Sequence, residues 1–290
     1  MQSLAAWLLL RLSICVSFAA MLASALPAYA ADAIKSVRLY ALDCGLVDIK
    51  NMGLFSDTGE YDGKPGALVT PCFVVRHPKG TLVWETGLGD KLAEKKEGAD
   101  LPGGLFHISM PVTLADQLGK LRLAPSDVTF VAFSHFHFDH TGNANVFSGA
   151  TWIINKHELE WALREPTPFG VDPKTFSGYK TAKTQTIEGD YDVFGDGSVR
   201  ILKAPGHTPG HQVLEIRLRK AGTYILSGDL YHTRANRQFH RIPDFNLNRA
   251  DSLASIDRIE KIVLNTKARL IVQHDPVDFK LLPKFPGYLE

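Results

Sequence analysis

Cysteine is scarce in this chain: Cys15, Cys44 and Cys72 are the only three among 290 residues. That excludes a small scaffold stapled by disulfides. Charge of one sign is also missing. Lys plus Arg number 32 against 31 Asp plus Glu, so there is no basic surplus of the kind a nucleic-acid processor carries. No repeat, low-complexity stretch or Pro/Ser-rich linker divides the chain. The longest apolar run, residues 12–26, is shorter than the about 20 residues of a membrane span.

That run sits in a segment with one charge, Arg11, and ends in the small-x-small pattern Ala28-Tyr29-Ala30. Residues 1–30 therefore read as a cleaved secretory signal, which predicts a periplasmic or secreted protein with no stable membrane anchor after cleavage. Residues 31–290 remain, about 260 residues, a length that suits one large α/β domain. Without Arg11 the opposite charges balance at 31 each, which fits a small uncharged substrate. A homodimer stays open. Cys15 leaves with the signal. Cys44 and Cys72 either pair in an oxidising compartment or stay as two buried thiols. Both lie far upstream of the ligand candidates, so thiolate coordination is not expected.

What the chain does have is His135-Phe136-His137-Phe138-Asp139-His140, four metal-competent side chains in six residues. With 11 His in the chain, chance gives this frame on the order of once in a thousand chains. Residues 128–133 are a continuous apolar run, the pattern of a strand buried on both faces, and they deliver His135. Three later candidates also follow apolar strand patterns. Residues 199–202 lead to His207, 223–226 to Asp229 and 270–272 to His274. Residues 69–75 and 81–85 read as a hairpin, and 213–218 pairs with 223–226. Residues 152–154 form a strand before a helix at 156–163. Residues 252–264 form a helix behind an N-cap at Asp251. Strands in two groups with helices between them predict two packed sheets, helices outside, and the site along one edge.

Residues two apart in an extended segment point the same way, so His135 and His137 can chelate one cation together with His207. After a turn, Asp139 and His140 reach a second cation with His274, and Asp229 bridges the two. Imidazole and carboxylate at about 2.0–2.2 Å are ligands that zinc accepts. Two divalent cations, zinc by donor type, would bring a shared water from a pKa of about 15.7 toward about 7. Asp139 is then the candidate to take the attacking proton and return it to the leaving oxygen. The other histidines lack such company. His77 lies in a turn, His107, His157 and His240 have no partner pattern, and His211 is either a ligand-orienting residue or filler.

Nearly all of the chain after the leader resembles the metallo-β-lactamase superfamily, and within it the N-acyl homoserine lactonases. The resemblance runs from Trp84-Glu85-Thr86-Gly87 through the six-residue frame and Ala204-Pro205-Gly206-His207-Thr208-Pro209-Gly210-His211 to Ser227-Gly228-Asp229 and Gln273-His274-Asp275. Ile187-Glu188-Gly189-Asp190-Tyr191 and the tail Phe285-Pro286-Gly287-Tyr288-Leu289 are the parts closest to the lactonases. It implies an αββα sandwich of two mixed sheets with flanking helices, a dinuclear zinc site, and opening of a homoserine lactone ring by a metal-bridging hydroxide. Glu85 stands where the superfamily usually has Asp, and is expected to support the site from behind. The lactonases place a Tyr three residues beyond the bridging Asp to polarise the substrate carbonyl. Here Tyr231 lies two beyond Asp229 and His232 occupies the third position, so Tyr231 is the catalytic candidate that the resemblance offers. Residues 52–55 and 101–110 are apolar segments suited to cradling an acyl chain. An organophosphate triesterase, another ester or β-lactam hydrolase, and a non-catalytic metal-binding protein are the alternatives.

Overall fold

The computed structural model describes residues 34–290, so the expected signal at 1–30 lies outside the described residues. Eight strands build the first sheet: β1 (Arg38–Ile49), β2 (Gly66–His77), β3 (Gly80–Trp84), β4 (Ala99–Asp100), β5 (Phe106–Ser109), β6 (Phe130–Ala132), β7 (Thr151–Asn155) and β8 (Lys183–Ile187). Five build the second: β9 (Tyr191–Asp192), β10 (Val199–Lys203), β11 (Gln212–Leu218), β12 (Gly222–Leu226) and β13 (Arg269–Ile271). The helices are α1 (Leu114–Lys120), α2 (Phe138–Thr141), α3 (Lys156–Ala162), α4 (Arg234–Phe239), α5 (Arg249–Thr266) and α6 (Pro276–Lys280). Among the described residues no helix is long and apolar enough to cross a membrane.

Both sheets are mixed. The first runs β4-β5-β1-β2-β3-β6-β7-β8 and the second β13-β12-β11-β10-β9. β6 lies parallel to both β3 and β7, which explains its unbroken apolar sequence: both faces and both edges are covered. Alternation along the strands divides the side chains between layers. Phe73, Val75, Leu82 and Trp84 point from the first sheet into a shared core with Ile201, Leu214, Ile216 and Leu226 of the second. Their neighbours Val74, Val83 and Trp152 point outward to Leu114 and Leu118 of α1 and Trp161 of α3. On the other side, Leu202, Val213 and Ile225 pack on Ile256 and Ile259 of α5. The expected αββα sandwich is the fold observed.

Two details sharpen or correct the sequence reading. Cys44 and Cys72 form a disulfide between β1 and β2. Helix α5 begins earlier than expected. Asn248 is its N-cap and accepts from the Asp251 backbone N–H, so Asp251 sits inside the first turn. An acidic residue is favourable there too, beside the positive end of the helix dipole.

Candidate metal centre

Each of the seven candidate ligands follows the C-terminal end of a strand. After β6 the chain bends at Ser134, is extended at His137 (φ −67°, ψ 157°) and then coils into α2. His135 and His137 therefore share one side, while the turn swings Asp139 and His140 to another. β10, β12 and β13 end just before His207, Asp229 and His274. β12 and β13 run parallel, which places Asp229 and His274 at the same sheet edge.

There the seven converge into two groups, His135, His137, His207 with Asp229, and Asp139, His140 with His274. Within each group the donor atoms lie within 4.8 Å of one another. His207 Nε2 is 3.1 Å from His135 Nε2 and 3.2 Å from His137 Nδ1. His274 Nε2 is 3.2 Å from His140 Nε2. The carboxylate of Asp229 is divided between the groups. Its Oδ2 lies 3.3 Å from His207 Nε2 and 3.6 Å from His135 Nε2. Its Oδ1 lies 2.8 Å from His274 Nε2 and 3.2 Å from His140 Nε2.

The hydrogen bonds behind the rings decide which nitrogen faces inward. His274 Nδ1 donates to the Val69 carbonyl (2.6 Å) and His207 Nδ1 to Asn246 Oδ1 (2.9 Å), while His140 Nδ1 lies 3.1 Å from Glu85 Oε2 and 3.3 Å from the Ser134 hydroxyl. In each of these rings Nε2 is then the nitrogen that faces the centre. Several buried lone pairs aimed at one point repel one another, and divalent cations are what such a donor set fits. Charge points the same way. Burial, then the neighbouring imidazoles, hold His135 well below the usual histidine range. Burial likewise holds His207 well below that range and His137 down to about 4, so this group is neutral and ready to ligate. Burial opposes charge on His140 and His274 as well. There the carboxylates outweigh it, Glu85, Asp139 and Asp229 around His140 and Asp229 beside His274, and both are raised. That surplus of negative charge calls for a cation.

Several supports sit behind the ligands. Glu85, in the left-handed region at φ 64°, also accepts from the Ser134 backbone N–H with Oε1 (3.0 Å). His211, left open by the sequence, orients Asp229. It donates from Nδ1 to the Ala204 carbonyl (2.9 Å) and accepts the Asp229 backbone N–H on Nε2 (2.8 Å). Sequence reasoning missed Glu158, which ties two ligand loops together. Its Oε1 accepts from the Phe136 N–H (3.0 Å), and its Oε2 accepts from the Thr208 hydroxyl (2.6 Å) and the Gly210 N–H (3.0 Å). The signal was an acidic residue beside the apolar face of α3. His77 and His107 pair instead with Asp196 and Asp100.

Tyr231 needs correction. Its backbone is extended (φ −145°, ψ 136°), so it and His232 point to opposite sides. Tyr231 packs beneath α5 and donates its hydroxyl to Glu260 Oε1 (2.8 Å). It therefore does not reach the centre. His232 does, with Nε2 2.9 Å from Asp229 Oδ2.

A cavity of about 610 Å³ opens onto His137, Asp139, Asp229, His232 and His274. Phe55 comes from the expected 52–55 segment, and Leu101, Pro102 and Phe106 from 101–110. Phe138, Phe169 and Phe245 add aromatic wall. Met52 and Met110 are buried in the core instead. Among the described residues no Lys or Arg lines this cavity.

The family model described as the metallo-beta-lactamase superfamily matches residues 65–274. The N-acyl homoserine lactonase AttM of Azorhizobium caulinodans is 30% identical over 266 residues, covering 88% of this chain and 99% of that protein. The solved structure of an N-acyl homoserine lactone hydrolase, with the product N-hexanoyl-L-homoserine at its catalytic metal center, superposes with a TM-score of 0.75. It is 24% identical, over 88% of this chain and 100% of that one. AidC, a dizinc quorum-quenching lactonase, superposes with a TM-score of 0.64 at 21% identity, over 88% of this chain and 91% of that one. Those two likenesses concern the fold, whereas the match over residues 65–274 also spans all seven side chains of the centre: the chain belongs to the metallo-beta-lactamase superfamily.

Proposed function

We propose that this protein is a dinuclear-zinc hydrolase that opens the lactone ring of N-acyl homoserine lactones, the reaction that ends quorum signalling. The observation that carries the reading is the cavity, which joins the seven-residue centre to an apolar, largely aromatic wall and, among the described residues, holds no Lys or Arg. A neutral ester with an apolar tail matches it. A substrate with a free carboxylate, such as a β-lactam, would meet Asp139, Asp172 and Asp229 with no counter-charge from a side chain. The relatives named as lactonases support the same substrate.

In this reading His135, His137 and His207 hold one cation, Asp139, His140 and His274 hold the other, and Asp229 serves both. When bound, the pair supplies Lewis acidity and brings a water's pKa toward about 7. The chain's own residues do the rest. The wall holds the acyl chain and excludes water from it. Asp139, the most exposed of the seven at the cavity floor, takes the proton of the attacking water on its carboxylate. It then delivers that proton to the ring oxygen as the acyl–oxygen bond breaks. A periplasmic or external location belongs to the same proposal, supported by the apolar leader and by the buried Cys44–Cys72 disulfide.

A neutral aryl phosphotriester meets the same polarity requirement and is the second reading. The test is a hydrolysis panel of acyl homoserine lactones, an aryl phosphotriester and a cephalosporin, with and without chelator. Chelator-sensitive turnover highest on the lactones is expected. Zinc-loaded protein that leaves lactones of every chain length intact would overturn the reading, and preference for the triester would select the alternative.

A further inference from the structure

The ring of His232 is locked on several sides. Phe55 and Phe245 meet it edge-on at 5.1 and 5.4 Å between centroids, and His274 stacks parallel to it at 5.7 Å. The side chain is 3% exposed. Its Nε2 lies 2.9 Å from Asp229 Oδ2, and its Nδ1 is buried with no hydrogen-bond partner. Buried polar atoms are nearly always partnered, so a ring left half-satisfied here needs a reason. The carboxylate can only accept, which puts the proton on Nε2. The polar contact that the ring makes is with Asp229.

Asp229 needs such a hold. Its carboxylate turns freely about the terminal side-chain bond, and a bridge works only if one oxygen stays with each group. The backbone is already fixed, because His211 accepts the Asp229 N–H at 2.8 Å. Around the carboxylate itself, Oδ1 meets His274 and His140, while Oδ2 meets His207, His135 and His232. Of these five rings, only His232 belongs to neither ligand group. Among the described residues no other side-chain N–H outside those groups lines this part of the cavity.

We propose that His232 is a positioning residue, whose Nε2–H pins Asp229 Oδ2 on the His135–His207 side and so keeps Oδ1 available to the His140–His274 side. Loss of that contact lets the carboxylate rotate and serve one cation with both oxygens, at the expense of the other. This rests on the two-cation reading of the centre, and its prediction concerns metal binding rather than turnover.

The experiment is titration of the metal-free full chain with cobalt(II), following visible absorption and the magnetic coupling between the two ions, in wild type, His232→Phe and His232→Gln. Phenylalanine keeps the ring contacts and removes the N–H, whereas glutamine supplies an amide donor. Wild type is expected to bind two coupled ions. His232→Phe should hold one tightly and bind the second about 10–100-fold more weakly, the usual cost of losing a ligand's hydrogen-bond partner, with coupling lost at two equivalents. His232→Gln should restore most of the second-site affinity. If His232→Phe binds both ions with unchanged affinity and coupling, the inference is wrong, and any fall in turnover then assigns His232 to the substrate. Wild type that binds a single ion overturns the two-cation reading and this inference with it.

Discussion

Gly170 lies against the imidazole of His137 so closely that a Cβ there would stand 2.7 Å from the ring's Cδ2 and 2.9 Å from its Nε2. The glycine is left-handed at φ 77°, and its carbonyl accepts the Phe138 N–H at 2.8 Å. This backbone therefore walls the ring and leaves Nδ1 as the nitrogen facing His207. Gly170→Ala should push His137 out of line. We expect a loss of about 1–3 kcal/mol in stability from the strained backbone, together with weaker binding of the first cation. Thermal unfolding and a metal titration, compared with wild type, check both.

Glu158 gives a pH prediction. Burial pushes its carboxyl up to about 7 from an ordinary value near 4.5, against three hydrogen bonds that favour the ionised form. The fold thus binds this proton more tightly than the unfolded chain does. The resulting stabilisation is complete below about pH 4.5 and is lost as pH rises through about 7, at most about 3 kcal/mol in all. Glu158→Gln cannot titrate. The stability of wild type relative to the variant should therefore fall between pH 5 and pH 8, measured by denaturant unfolding at each pH. A flat difference would mean that Glu158 stays ionised throughout.

Tyr231→Phe tests the corrected role of that residue. The phenol donates to Glu260, which Arg237 also holds through bonds of 2.8 and 3.0 Å. Removing the hydroxyl should cost about 0.5–1.5 kcal/mol of stability, one net hydrogen bond, and leave turnover within about twofold. A loss of orders of magnitude in kcat at normal stability would return Tyr231 to the reaction.

Phe169 bears on substrate choice. It lines the cavity while 64% exposed, and its ring lies 5.8 Å from Phe245, which in turn lies 5.6 Å from His207. An aromatic path thus runs from the centre to the solvent. If the acyl chain follows it, Phe169→Ala should leave short-chain lactones unaffected. It should lower kcat/KM on long-chain ones by about fivefold, roughly 1 kcal/mol, the worth of one or two buried methylenes. A chain-length series in both proteins gives the answer, and a uniform loss would remove Phe169 from chain recognition.

Much of the fold was legible because buried strands carry their own signal. β6 reads as apolar throughout because neighbours cover it completely, and the β2–β3 hairpin announces itself by its turn. β1, the long strand beside β2, was not legible. Asp43 and Gly45 interrupt its apolar pattern where its register against β2 shifts. β8 was hidden for the opposite reason. Lys183, Thr184, Gln185 and Thr186 are exposed on an edge strand, so nothing apolar marks it. Asn248 took the cap of α5 from Asp251 because both are good caps, and only packing decides where the first turn begins.

The residue types and their order were enough to name the donors, since a His-x-His-x-Asp-His frame has few other uses and strand-end residues reach the same sheet edge in this architecture. Local order could not say how a carboxylate would be shared, or which of two adjacent side chains would face the centre. Asp229 is divided because two sheets bring four loops to one point. Tyr231 is turned under α5 and His232 toward Asp229 because extended backbone sends neighbours to opposite sides, and only the packed sheets determine which side is the interior of the site.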